Sequence, residues 1–468
     1  MVNAVITLVA VLALTGIIVG ISTTFPRAMR PWVWLSLAEY LLCVVAQLVY
    51  SRVIVGGGDM VLYASTGREL ANFLDAHFSW AAGEVTAMLF QQPSAFDELV
   101  LGGGGSNTAS MYAICGWILF LLRGSEYAAH VCVAGFSLLG VLGIYKAFHD
   151  AFPECPQVRL FAATVLVPST AFWTCTLHKE AFCIAGIGAL LVAWRGVYNR
   201  RPLRVLICAP LGLTLIVLFR APAVVPLFLG LVMFFVLERV QRVRGVERAV
   251  LGPVYFGLAL AMLAVGMAAL TRAAPALALD RLGETVALKQ QGWSLSPGGS
   301  SFEMGHEADA PQSAAGQLSR VPLALINALF RPQLFDVNNI AALMSALEMT
   351  TITFLVIRAV KQNGLHGLVA QLQRSPFLMM CTIVTLVGCT FVGLATLNFG
   401  SLARYRVPFL PFYAALVLSL DVRRLRSTKS AKASMRRAHA SRRRAAAPRV
   451  AASQGRGGLT RATRGSTG

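Results

Sequence analysis

Apolar stretches of bilayer length recur along this 468-residue chain as far as Asp421, and no other feature restricts its fold so strongly. Roughly 17 to 25 apolar residues carry a helix across hydrocarbon. Every backbone N–H and C=O there must be satisfied within the segment itself. Hydropathy places such runs at 3–22, 32–54, 127–146, 159–176, 181–198, 204–219, 222–237, 249–271, 338–359, 376–397 and 405–421. Only 13% of the residues are charged and 56% are hydrophobic, well away from the balance of a soluble domain. The expectation is an all-α polytopic membrane protein with about 11 transmembrane helices and short interfacial helices in its loops.

The net charge of +20 raises nucleic acid as a partner, but its distribution argues against that. Of the 41 Lys and Arg residues, 14 follow Asp421, in a tail without one acidic residue. Two parts are therefore expected, a membrane domain over 1–422 and a disordered basic tail over 423–468. The tail suits the cytoplasmic side, drawn to anionic lipid headgroups. Counting back from it by the positive-inside rule puts Arg27, Arg30, Arg200, Arg201 and Arg204 inside. The long loops 55–126 and 272–337 then lie outside, the first with seven acidic residues and two basic ones. The short apolar stretch 109–122 fits this scheme only as an interfacial or re-entrant helix. The first apolar run has no basic residue ahead of it and reads as a retained span, not a signal peptide. The nine cysteines are scattered through apolar sequence without metal-ligand spacing and read as small hydrophobes.

This topology gathers charged residues at one rim. Asp59 closes a Gly56-Gly57-Gly58 turn beyond the second span, with Tyr63 one helical turn on. His178, Lys179 and Glu180 fall between the fourth and fifth spans, Arg220 between the sixth and seventh. Arg331 precedes the ninth, Glu348 lies about ten residues into it, and Arg404 and Arg406 precede the last. Charges at such places are costly and usually face an internal cavity. Arginine forks match phosphate oxygens, and a carboxylate can take a proton from an attacking hydroxyl. Asp59 and Glu348 are thus the catalytic candidates; Tyr63, Lys179, Glu180, Arg220, Arg331, Arg404 and Arg406 are the substrate-binding ones. Each has a plainer alternative. Asp59 could cap a helix, Lys179 and Glu180 could tip a hydrated turn, Arg220 could snorkel, and Glu348 could fix helix packing. His178 reads as structural. The glycine runs 102–105 and 298–301 lack the context of a phosphate cradle and read as loops.

Several blocks resemble the GT-C glycosyltransferases, which take sugars from polyprenyl-phosphate donors. They are Gly57-Gly58-Asp59 with Tyr63 and Gly67; Trp117-Ile118-Leu119-Phe120 leading to Gly124-Ser125-Glu126; and Gly143-Ile144-Tyr145-Lys146. Val167-Pro168-Ser169, Phe172-Trp173 and His178-Lys179-Glu180 follow. Leu329-Phe330-Arg331-Pro332 and the closing Arg404-Tyr405-Arg406-Val407-Pro408-Phe409 are similar to members that build bacterial envelope polysaccharides. The likeness runs in patches through 32–421, and the order of short motifs carries it.

The resemblance implies inverting glycosyl transfer at the exported face of a bacterial inner membrane. The donor would be a polyprenyl-phosphate-linked sugar and the acceptor a glycan, lipid or protein. Asp59 would activate the acceptor or help hold a divalent metal such as Mg or Mn. The chain departs from the family pattern in its extra first span. It also lacks a second acidic motif; Asp75, Asp97 and Glu98 are the nearby acids. An O-antigen-type polymerase or ligase using lipid-pyrophosphate glycans shares the exported arginines but has less need of Asp59. A lipid or glycan transporter predicts inverted repeats, and none stands out.

Overall fold

The computed structural model describes residues 2–100, 105–243, 246–273, 279–295, 302, 313–337 and 339–420. The basic tail and the glycine runs at 102–104 and 298–301 lie outside the described residues. Among the described residues the elements are helices joined by short turns, without a strand. Eight helical segments among the described residues are long and apolar enough to cross a membrane: Val2–Thr23, Arg27–Ile54, Glu126–Ala151, Lys179–Tyr198, Pro202–Arg242, Val250–Arg272, Ala342–Arg374 and Pro376–Ala395. The protein is a polytopic, all-helical membrane protein.

Burial sorts these segments into centre and periphery. Glu126–Ala151 is 72% buried within the protein over its most apolar window, against 17% for Val2–Thr23 and 11% for Val250–Arg272. The outer helices turn Leu8, Leu12, Val254 and Leu258 outward, as hydrocarbon requires. At the centre, glycines bring backbones together. A Cβ on Gly188 would stand 2.1 Å from the Gly140 carbonyl oxygen, and one on Gly212 2.7 Å from that of Gly186. Three helices, Glu126–Ala151, Lys179–Tyr198 and Pro202–Arg220, therefore pack at the close spacing that small residues permit in membranes.

Several expected spans take other forms. The stretch 159–176 divides into Gln157–Thr164 and Pro168–Thr174. Pro168 has no N–H to give the preceding turn, and Val167 before it is extended (φ −102°, ψ 109°). The broken segment still runs antiparallel beside Glu126–Ala151: Gln157 Nε2 meets His149 Nε2 at 3.2 Å near one end, and Leu177 N meets His130 Nδ1 at 3.4 Å near the other. The runs 204–219 and 222–237 join through a tight turn over Ala221–Ala223, where Arg220 leaves helical geometry (φ −151°, ψ 58°). The second of them returns, so that Gln241 Nε2 reaches the Gln373 carbonyl at 3.1 Å.

The stretch expected at 109–122 is the helix Asn107–Leu121, shorter than a span at 15 residues. It lies beside Asp59–Ala76, with Gly67 against Cys115 and Gly116 against Leu70. The helix expected over 338–359 extends across Ile340–Arg374 with a kink at Gly364. The last stretch starts as a tight turn, Val407–Phe409, and continues as helix to residue 420.

Candidate functional site

One end of the bundle collects charge. Gly58, at φ +101°, turns the chain so that Asp59 opens its helix, where the helix dipole favours an anion. His178 precedes the helix Lys179–Tyr198, which places Lys179 and Glu180 on its first turn. Arg220 ends the helix that packs against it, and Arg404 lies on the short helix Phe399–Tyr405. These elements surround a cavity of about 400 Å³, lined by Asp59, Tyr63, Lys179, Arg220, Lys289 and Arg404 among others. That volume is in the small-ligand range.

Glu180 is the centre of the ion network and is closed to solvent. One carboxylate oxygen accepts from Arg220 Nη2 and the other from Arg404 Nε at 2.9 Å. Both oxygens are therefore engaged, and its work is to hold two guanidinium groups in place. Arg404 turns its Nη1 outward to Asp59 Oδ2 at 2.6 Å. Asp59 has 47% of its side chain exposed, and Oδ1 has no hydrogen-bond partner among the described residues. Burial acts to raise the Asp59 pKa, but the Arg404 guanidinium, by its charge and its hydrogen bond, outweighs it and leaves the carboxyl below its ordinary value. Asp59 is an anion at neutral pH.

Around this line of charges sit polar and aromatic groups. Lys179 Nζ donates to Asn107 Oδ1 at 2.9 Å and Thr108 Oγ1 at 2.8 Å, and stands 5.6 Å from the Tyr63 ring centre. It makes no ion pair among the described residues. Tyr63 is nearly buried and packs edge-on against Tyr112. Burial first, then the Asp59 charge, pushes its phenol above the ordinary range, so it stays protonated. The Tyr405 ring lies under Arg220, 4.0 Å from the guanidinium carbon. On the far wall the helix Leu279–Leu295 brings in Lys289 and Trp293, whose Nε1 donates to the Ala395 carbonyl at 3.1 Å. His178 is sealed beneath, with Nδ1 2.8 Å from Thr176 Oγ1. Its burial and the nearby Arg404 charge bring its pKa down to about 3.

Of the candidate residues from the sequence, Asp59, Tyr63, Lys179, Glu180, Arg220 and Arg404 come together here. Three stand elsewhere and do not line this cavity. Glu348 accepts from the Ser169 backbone N–H at 3.0 Å, beside a separate and largely apolar hollow. Arg331 forks onto Asp336 and lies 4.6 Å from the Phe399 ring centre. Arg406, fully buried, gives Nη1 to the carbonyls of Ala328 and Arg331, both at 2.8 Å. Glu180 belongs to the site as a brace for the arginines, with no surface to offer a substrate. Asn107, Lys289, Trp293 and Tyr405 also line the cavity, and Thr108 holds Lys179; none of them was singled out from sequence. Tyr405 alone had a visible signal, its place between two arginines.

A divalent metal fits this donor set poorly. Asp59 offers one free oxygen, and its nearest acidic neighbour, Glu180, has both oxygens on guanidinium groups. Asp75, Asp97 and Glu98 do not line the cavity. Lys179 and Arg404 would repel a second cation. Set against family models, curated proteins and solved structures, the chain matches none.

Proposed function

We propose that this protein is a membrane-embedded glycosyltransferase that moves a sugar from a polyprenyl-phosphate donor to an acceptor hydroxyl. Its place would be the exported face of a bacterial inner membrane, in envelope or extracellular polysaccharide synthesis. One observation carries the reading. A half-exposed carboxylate, Asp59, shares Arg404 with a sealed one, Glu180, at the mouth of a cavity that also holds Lys179, Arg220 and Lys289. Such a cavity suits a phosphate leaving group beside a base.

The step balances simply. The acceptor oxygen attacks the anomeric carbon, the carbon–oxygen bond to the phosphate breaks, and its electron pair leaves with the polyprenyl phosphate. Asp59 takes the acceptor proton. Lys179 and the arginines hold the growing charge on the phosphate. A donor phosphate that draws Arg404 Nη1 towards itself also loosens the clamp on Asp59. The carboxylate then becomes a stronger base as the site fills.

Polysaccharide output from cells carrying Asp59→Asn or Lys179→Met, at matched protein levels, tests this. Loss of the base is expected to lower output by about 100-fold or more. Wild-type output from Asp59→Asn would remove the mechanism's centre. The number of cations favours a second reading, a polymerase or ligase acting on lipid-pyrophosphate glycans, because two phosphates need more positive charge than one. Binding of polyprenyl monophosphate against diphosphate sugars to the purified protein separates the two.

A further inference from the structure

The opposite end of the same helices holds a second charged cavity, and its chemistry differs. Its volume is about 400 Å³, and its walls include Lys146, His149 and Asp150 from the far end of Glu126–Ala151. Arg195 and Asn199 come from the far end of Lys179–Tyr198 and its cap, and Arg204 from the start of Pro202–Arg220. At the first cavity carboxylates hold the arginines. Here rings hold the cations. Arg195 stands 5.3 Å from the Trp194 ring centre and 5.2 Å from that of Tyr198, and gives Nη2 to the Asp150 carbonyl at 3.2 Å. Lys146 Nζ lies 4.5 Å from the Phe25 ring centre and donates to Thr24 Oγ1 at 2.6 Å.

None of Lys146, Arg195 and Arg204 is in an ion pair among the described residues. The Asp150 carboxylate lines the same space and is likewise in none. Lys146 and Arg195 are partly withdrawn from water and held by ring and hydrogen-bond contacts, and with the exposed Arg204 beside them three cations face one acid, which leaves positive charge that the protein itself does not neutralise. Like charges gathered in this way are unfavourable until an anion joins them. The ring contacts fix Lys146 and Arg195 in advance and so reduce the cost of ordering them on binding. Small apolar walls from Phe25, Tyr145 and Val192 complete a hollow with a polar and an oily side.

We propose that this cavity is a second anion site that binds a phosphate group, separate from the Asp59 cavity at the other end. The phosphate can belong to a membrane phospholipid headgroup or to a small soluble phosphate compound. Lys146 and Arg204 supply the ionic contacts, Arg195 a further guanidinium, and Asn199 and Gln157 neutral donors. A bound anion stabilises the folded protein by mass action, which gives a readout independent of any catalytic activity.

The test uses the purified full-length protein and its melting temperature. One arm titrates inorganic pyrophosphate in neutral detergent. The other compares nanodiscs of phosphatidylcholine alone with nanodiscs containing 30% phosphatidylglycerol. Arg204→Gln, Lys146→Gln and, as a control for general basic charge, Arg27→Gln are carried through both. The site predicts a rise in melting temperature of several degrees in one arm at least. That rise should be lost in Arg204→Gln and Lys146→Gln and kept in Arg27→Gln. A rise with pyrophosphate identifies a soluble ligand, and a rise with the anionic lipid alone identifies a headgroup. No rise in either arm overturns the proposal, as does an equal loss in the Arg27→Gln control. Arg204 is exposed and its side chain packs little, so its variant keeps the test valid if Lys146→Gln folds poorly.

Discussion

Arg404 and Arg406 are two residues apart in sequence and have opposite fates. Arg404 is shared between a sealed carboxylate and an open one, with a cavity in front of it. Arg406 turns into the protein, where two carbonyls and Ser345 Oγ take its donors. The neighbouring Arg331 is tied to Asp336 and stacked on Phe399. One region arranges its charges around space, and the other consumes them in fastening the turn after Phe330 to the helix Ile340–Arg374. A buried arginine is thus no sign of a ligand by itself. What matters is whether the group lines a cavity, since Arg406 too keeps an unpaired donor, its Nε, yet stands away from the Asp59 cavity.

The comparison breaks most readily at Glu180. Truncation by Glu180→Ala leaves Arg220 and Arg404 without their shared anion in a nearly closed setting. Removing one partner of such a pair costs about 3–5 kcal/mol. Little folded protein is expected, measured as the fraction that stays monodisperse after detergent extraction. A well-folded Glu180→Ala protein would mean that the arginines do not depend on their brace. Arg406→Met comes next, at roughly 3 kcal/mol, because two carbonyls and a hydroxyl lose a charged donor. Its melting temperature should fall while the Asp59 cavity keeps its ligand affinity. An equal fall in affinity would join the two regions into one.

Much of this fold was legible because hydrocarbon length is a one-dimensional signal. The glycine turn before Asp59 and the helix after it were equally local. The broken stretch between 157 and 174 shows the limit: its hydropathy is that of a span, while Pro168 divides it into two short helices. Sharing of Arg404 by Asp59 and Glu180 was beyond reach in another way. Asp59 and Arg404 are 345 positions apart, and no periodicity reports such a meeting. The rim argument from topology gathered most of these residues at one end of the protein without telling Arg404 from Arg406. Two residues along the chain, from Arg404 to Arg406, are enough to change a cavity-lining side chain into a staple. Lys289 and Trp293 were missed because the stretch that forms their helix carries no motif.

A smaller effect probes the floor of the cavity through pH. His178 is neutral when folded, with its pKa moved from 6.5 to about 3 by burial and the Arg404 charge. The unfolded chain therefore binds a proton that the folded protein refuses. Its contribution is complete above pH 6.5 and is lost as pH falls towards 3, by at most about 1.4 kcal/mol per unit. Melting temperatures at pH 7.5 and 5.5 should show a steeper acid loss for wild type than for His178→Gln. Equal slopes would place His178 in contact with solvent and open the base of the site.

The smallest effect on stability is expected where the effect on function is largest. Asp59→Asn removes one charge from a half-exposed side chain, and Arg404 keeps its bond to Glu180. The amide oxygen can still accept from Arg404 Nη1. What is lost is an exposed ion pair and a favourable charge at a helix start, together within about 1 kcal/mol. The melting temperature of the purified variant should therefore stay close to wild type while the proposed transfer fails. Should it fall as far as that of Glu180→Ala, Asp59 would be a second brace. A loss of polysaccharide would then speak of folding and not of a missing base, so the melting curve has to be read before the activity.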